Sequence, residues 1–239
     1  MNLEELKKDF LPKEIVLKLM LDVPRENYAE KLEILDNYIN QVKDSFEPDI
    51  LLIRSNNQIG FIYWEAEKYD LAIKHYEKVL EVLGPSDYPF LYFHIASMLI
   101  TCYRLTKQFG PSMQWAETAL NNLNDTDSSF YGKLGILTAY IEVLHEADMP
   151  FNEKYAAIID NVIVQMEFPP ISAVEPIERI KIINQEHKKW NQRLMKVDVI
   201  GKENKGELIT ALKDYIASCD IGWYKKYAAQ RLEKIENAC

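Results

Sequence analysis

Gly201 and Gly206 follow the short apolar run Val197–Ile200 at the glycine spacing of a phosphate-cradling loop. Such a loop needs a lysine and a hydroxyl residue after its second glycine, to meet phosphate and magnesium. Glu207 and Leu208 stand there, and a carboxylate opposes the ligand, so the motif is set aside. Of the four histidines, His75, His94, His145 and His187, no two have the spacing of metal ligands on one helix. His145 shares a helix face with Glu142 and Asp148, a grouping that reads as solvated surface. No serine or cysteine has a recognisable nucleophile context. The run Trp223, Tyr224, Lys225, Lys226, Tyr227 resembles a basic aromatic patch for single-stranded nucleic acid. On a helix, however, Trp223 and Tyr227 are expected to point together to the core and the lysines away. No metal, no cofactor and no enzymatic activity are expected.

Charge and cysteine usage narrow the classes further. The chain carries a net charge of -9, unevenly placed: residues 1–174 hold 15 basic and 27 acidic side chains, and residues 175–239 hold 13 and 10. An acidic surface repels phosphate backbones and attracts a basic partner, which counts against nucleic acid as a ligand. Cys102, Cys219 and Cys239 lie far apart without zinc spacing, and no disulfide framework is expected: the first two read as small core residues, the third as exposed. The start of the chain lacks the basic and apolar stretches of a secretory signal, and nowhere do eighteen apolar residues run together. The expected location is the cytoplasm, with no membrane partner.

The elements that would position any site read as helices. Tyr28, Leu32, Leu35, Ile39, Val42 and Phe46 draw one apolar stripe on a helix ending near Glu47, because Pro48 follows. Ile15 to Leu21 is apolar nearly all round and suits a short buried helix between Pro12 and Pro24. These two form a leading hairpin, residues 1–47. Pro169 and Pro170 mark the clearest boundary, beyond which Ile180, Ile183, His187, Trp190, Leu194 and Val197 form a narrow seam. Under three heptads long, the seam is read as a capping helix, with a homodimer through residues 177–197 as the less favoured use; His187 within it is expected to be hydrogen-bonded. Two more amphipathic helices follow, carrying Leu208, Leu212, Tyr215 and Cys219, then Trp223, Tyr227, Leu232 and Ile235. Val197–Ile200 is the one candidate strand.

Between these flanks lies a repeat. In residues 53–86, small residues Gly60 and Ala72 suit a close helix crossing, and Tyr63, Tyr69, Tyr76 and Leu80 suit the gaps around it. The landmarks return forty residues on, Tyr63 at Tyr103, Tyr69 at Phe109, Ala72 at Ser112 and Leu80 at Leu120. A third set comprises Tyr140, then Tyr155, Ala156, Ile159 and Val162. In these positions the chain resembles the tetratricopeptide family, whose two-helix unit usually repeats at about 34 residues and here would be lengthened. Asn56 and Val79 depart from the family pattern, which favours a large apolar residue and alanine there.

The resemblance implies an all-α fold: an α-solenoid of antiparallel helical hairpins forming a right-handed superhelix, with capping helices at both ends. Residues 1–47 would be the leading hairpin, 48–168 the repeats and 169–239 the C-terminal caps, in one continuous body. It implies further that the first helix of each hairpin lines a concave face. The inward residues would be Arg54, Asn57, Phe61, Trp64 and Glu65 in the first unit, and His94, Ser97, Thr101 and Arg104 in the second. Asn57 would bind a peptide main chain, Phe61 and Trp64 would give apolar anchors, and Arg54 and Arg104 would pair carboxylates. The expected function is a non-enzymatic scaffold that binds a peptide or folded partner. An immunity or inhibitor protein masking a basic toxin or nuclease, and a regulator sensing a short peptide or small molecule, are the alternatives.

Overall fold

The computed structural model describes residues 2–123, 129–200 and 205–237; among them there are twelve α-helices and no strand. The chain forms two compact units, Met1–Met149 and Pro150–Cys239. The expected boundary at Pro169–Pro170 therefore falls inside the second unit.

In the first unit, α4 (Pro48–Glu65) pairs with α5 (Tyr69–Leu80), and α6 (Pro89–Leu105) with α7 (Phe109–Leu123); α6 also packs on α5 and on α8 (Phe130–Ala147). Pro48 and Pro89 open their helices at a position that needs no N–H donor. The two hairpins turn alike. Glu67 and Lys107 both adopt positive φ, 57° and 61°, so the backbone reverses within three residues. Lys68 N–H donates to the Tyr63 carbonyl and Gln108 N–H to the Tyr103 carbonyl, each at 2.8 Å. This equality, forty residues apart, gives the repeated tyrosines the same place at the end of a first helix.

Close packing fixes the first crossing. A Cβ on Gly60 would lie 2.7 Å from Tyr76 Cε1, and Tyr76 is 1% exposed, so its ring has nowhere to go. The positions forty residues later hold Ile100 and Ala116, both fully buried. Large and small have traded sides. Ser112, which takes the place of Ala72, donates its hydroxyl to the Ile100 carbonyl at 2.8 Å and so buries no unsatisfied oxygen. Asn56 has a partner: its amide oxygen lies 2.8 Å from His75 Nδ1, and its NH2 donates to the Leu52 carbonyl. Val79 is fully buried.

The leading segment corrects two expectations. Helix α3 (Tyr28–Val42) ends in a 3-10 turn, Lys43–Ser45, before Phe46; it packs on α4 around Phe10, Leu35 and Ile62. The Ile15–Leu21 segment is helical, as α2 (Lys13–Leu17) continued by a π turn, Lys18–Asp22, but it is not buried. Only Leu19 is buried; Ile15 and Val16 are half-buried, and Leu17, Met20 and Leu21 are 43%, 59% and 75% exposed. A two-turn helix packed from one side hides one stripe, however apolar its other faces. A four-residue helix, α1 (Leu3–Leu6), precedes it.

In the second unit, α9 (Ala156–Met166), α10 (Pro176–Ile200), α11 (Lys205–Ser218) and α12 (Gly222–Asn237) surround the expected seam. Ile180, Ile183, Trp190, Leu194 and Val197 are buried within the single chain, where α10 packs on α9 and α11. Tyr215 donates to the Trp190 carbonyl at 3.0 Å, and His187 Nδ1 lies 2.7 Å from the Tyr224 hydroxyl. Val197–Ile200 is the end of α10, not a strand, and Gly201 lies outside the described residues, as does Cys239. The stripe of α12 is also rotated from expectation. Tyr224 and Ala228 are fully buried, while Tyr227 is 41% exposed and stacks on Trp223. Stripes beginning at 223 and 224 have equal spacing, and small Ala228 lets its own side approach the core. Of the third landmark set, Tyr140 belongs to the first unit and Tyr155, Ala156, Ile159 and Val162 to the second.

Replacing Gly60 by leucine should lower stability by about 3 kcal/mol through overpacking. The double variant Gly60→Ile, Tyr76→Ala copies the second hairpin's pair and should recover much of that loss in chemical denaturation; strictly additive losses would refute the crossing. His75 supplies a pH test. Burial, then Lys78 and Lys74, holds its imidazole below the ordinary value. A depressed folded value means this site's stability is present above about pH 6.5 and lost as pH falls through the folded value. The melting temperature should fall between about pH 7 and about pH 5.5, and less in His75→Gln, which keeps a polar partner for Asn56 without titrating. An equal fall in the two proteins would contradict this.

Candidate functional site

The nine residues expected on an inner face separate into two groups. On α4, Arg54 turns back to the N-terminal segment, where its Nη2 donates to the carbonyls of Leu6 and Lys8. Burial lowers its pKa, with nearby Tyr88 and Asp9 opposing. Glu65 accepts from Lys31 Nζ at 2.9 Å, and that lysine side chain is only 3% exposed. A lysine enclosed to that degree needs its carboxylate, so the pair holds α3 to α4. Phe61 and Trp64 stack at 5.9 Å between centroids, and the Trp64 indole N–H is buried without an acceptor. Asn57 is half-buried, and among the described residues its amide has no hydrogen-bond partner.

On α6, the hydroxyls are occupied by their own helix: Ser97 donates to the His94 carbonyl and Thr101 to the Ser97 carbonyl, both at 2.8 Å. His94 is exposed, yet the surrounding protein lowers its pKa by desolvation. Arg104 departs from the role the resemblance implies. Its guanidinium meets Glu142 at 2.9 Å and also binds Glu146, which Lys107 reaches at 2.6 Å. Hydrogen bonds from Lys107 and Arg104 hold the Glu146 carboxyl below its usual range. Arg104 thus joins α6 to α8. Glu142, grouped in sequence with His145 and Asp148, is spent on that joint, and Asp148 lies past the helix end at φ 52°. Among the described residues, no hydrogen bond, ion pair or ring contact links the α4 group to the α6 group.

Arg54, Phe61 and Glu65 do converge, on a recess of about 470 Å³ between the leading segment and α4. Its other walls include Phe10, Val16, Leu17, Met20 and Ile62, with Lys13, Lys31 and Gln58 at polar points. The spacing of α4 points to the first three. The rest come from a segment folded across it, and Lys31 gave one faint signal: a lysine beside Leu35 on the buried side of α3.

The buried thiols take no part in the site. Cys102 is fully buried and its thiol is pushed up to about 12 by desolvation; Cys219 is buried as well, its S–H directed to the Ile221 carbonyl. Among the described residues no group of three His, Cys, Asp or Glu side chains is placed to hold a metal ion, and no helix is long and apolar enough to cross a membrane. No family model matches the chain, and no curated protein is similar to it.

Arg104→Ala should destabilise the first unit by about 1 kcal/mol, because Glu142 then loses its partner beside Glu146, one turn away, which keeps only the exposed Lys107. Thermal melts at low and high salt test this: the loss should shrink as salt screens the carboxylates. A variant melting like the parent would release Arg104 for a partner.

Proposed function

We propose that this chain is a non-enzymatic scaffold built on tetratricopeptide-like hairpins set in a solenoid, which captures a peptide or folded partner on the face formed by the first helices. The observation supporting this reading is the like turn of the α4–α5 and α6–α7 hairpins at Glu67 and Lys107, forty residues apart. A tandem array of helical hairpins buries one face of each helix in its neighbours and leaves the other as an extended binding surface. On that surface Asn57 and His94 keep polar groups without a hydrogen-bond partner among the described residues, and Phe61 and Trp64 stack on each other, whereas Arg54, Glu65 and Arg104 build the platform.

The partner is expected to be a basic protein or peptide. The cations Lys31, Arg104 and Lys107 are neutralised by the chain's own carboxylates, and a net charge of -9 remains. That balance also suits an inhibitor or immunity protein masking a basic toxin or nuclease, acting in the cytoplasm without nucleic acid or membrane. The recess beside α4 favours a second form, a regulator that senses a small molecule.

Capture from native lysate, read by mass spectrometry, tests the face. Phe61→Ala with Trp64→Ala should weaken capture roughly tenfold or more while helix content is retained, because stacked aromatic anchors dominate such interfaces. The same proteins recovered at the same yield would move the binding surface elsewhere.

A further inference from the structure

The recess between the leading segment and α4 holds features that packing alone does not require. Its volume of about 470 Å³ lies within the roughly 300–1,000 Å³ typical of small-molecule sites. Leu17 and Met20 line it while remaining 43% and 59% exposed, so apolar surface stands open to water at its edge. Met20 is carried by the π turn Lys18–Asp22, a helix irregularity frequent at functional sites. The Gln58 side chain also lines it and has no hydrogen-bond partner among the described residues.

Charge selects the ligand. Five charged residues line the recess: Lys31 and Glu65 neutralise each other, and Asp9 and Lys13 are exposed. Arg54 hydrogen-bonds only neutral carbonyls, through Nη2, with its Nε and Nη1 unpaired; Asp9 acts on it through space, but is exposed and makes no ion pair with it. The lining thus carries one net positive charge in a chain of net charge -9. A half-buried guanidinium without a hydrogen-bonded carboxylate gains from an arriving anion, and a single negative charge balances the lining.

We propose that this recess binds a small amphipathic monoanion, an acyl or aryl carboxylate, with its apolar body against Phe61, Val16, Leu17 and Met20 and its carboxylate towards Arg54 and Lys13. Gln58 donates from its amide to the same head group. The site goes beyond capture of a protein partner and does not rest on it.

Isothermal titration of the purified full chain with decanoate, decanol and decyltrimethylammonium, each below its micelle concentration, tests the assignment. Decanoate should bind saturably and at least about tenfold more tightly than decanol, with the cation weakest. Met20→Asp places a negative charge on an exposed lip, where folding is undisturbed, and should weaken decanoate by roughly tenfold while changing decanol far less. Lys13→Glu, also exposed, should act in the same direction. The proposal fails if decanoate shows no saturable binding up to about 1 mM, if the three head groups bind alike, or if neither variant alters decanoate affinity. The titration contains no protein partner, so its failure and a failure of lysate capture are separately visible.

Discussion

The contact between the Gly60 backbone and the Tyr76 ring sets the register on which the first unit depends. With no side chain at residue 60, α4 and α5 approach until the ring lies against the helix, and both are enclosed. That closeness fixes the hairpin's turn at Glu67 and decides which side of α4 faces α5. The opposite side of α4 is then left for the leading segment, which brings Phe10, Leu35 and Ile62 into one cluster. The second hairpin reaches the same turn with Ile100 and Ala116 at the corresponding positions, so volume is conserved across the crossing while its distribution is reversed.

Electrostatics follows from that packing. The chain is acidic overall, yet it places several of its cations inward: Lys31 on Glu65, Arg104 between Glu142 and Glu146, Arg54 on backbone carbonyls. Each joins two elements. The Lys31 and Arg104 pairings each take a carboxylate with the cation, so the net charge of -9 is left for the rest of the chain. Arg54 differs from the other two because its partners are neutral, and the recess it lines is for that reason an exception to the acidic character of the chain.

Much of the helical framework was legible in residue spacing. The forty-residue return of Tyr63, Ala72 and Leu80, the stripe on α3 and the buried seam of α10 all follow from a period of about 3.6 residues meeting one apolar environment. Spacing failed where two stripes were equally periodic, as on α12, and where an apolar segment was too short to be enclosed, as in α2. It was also silent about residues brought together from distant positions. The carbonyls of Leu6 and Lys8, which hold Arg54, and Glu142 and Glu146, which hold Arg104, lie tens of residues from their partners.

By itself, then, the amino-acid order determined that the chain is helical, where most helices lie and which residues repeat, because local periodicity and the proline and glycine positions act over a few turns. Tertiary structure alone decided which of the nine candidate side chains are spent as struts, that Met20 and Leu17 remain in water, and that a recess with a net positive lining opens beside α4. Those outcomes depend on which surfaces meet, and meeting is governed by shape and desolvation between elements remote in sequence, which no local pattern encodes.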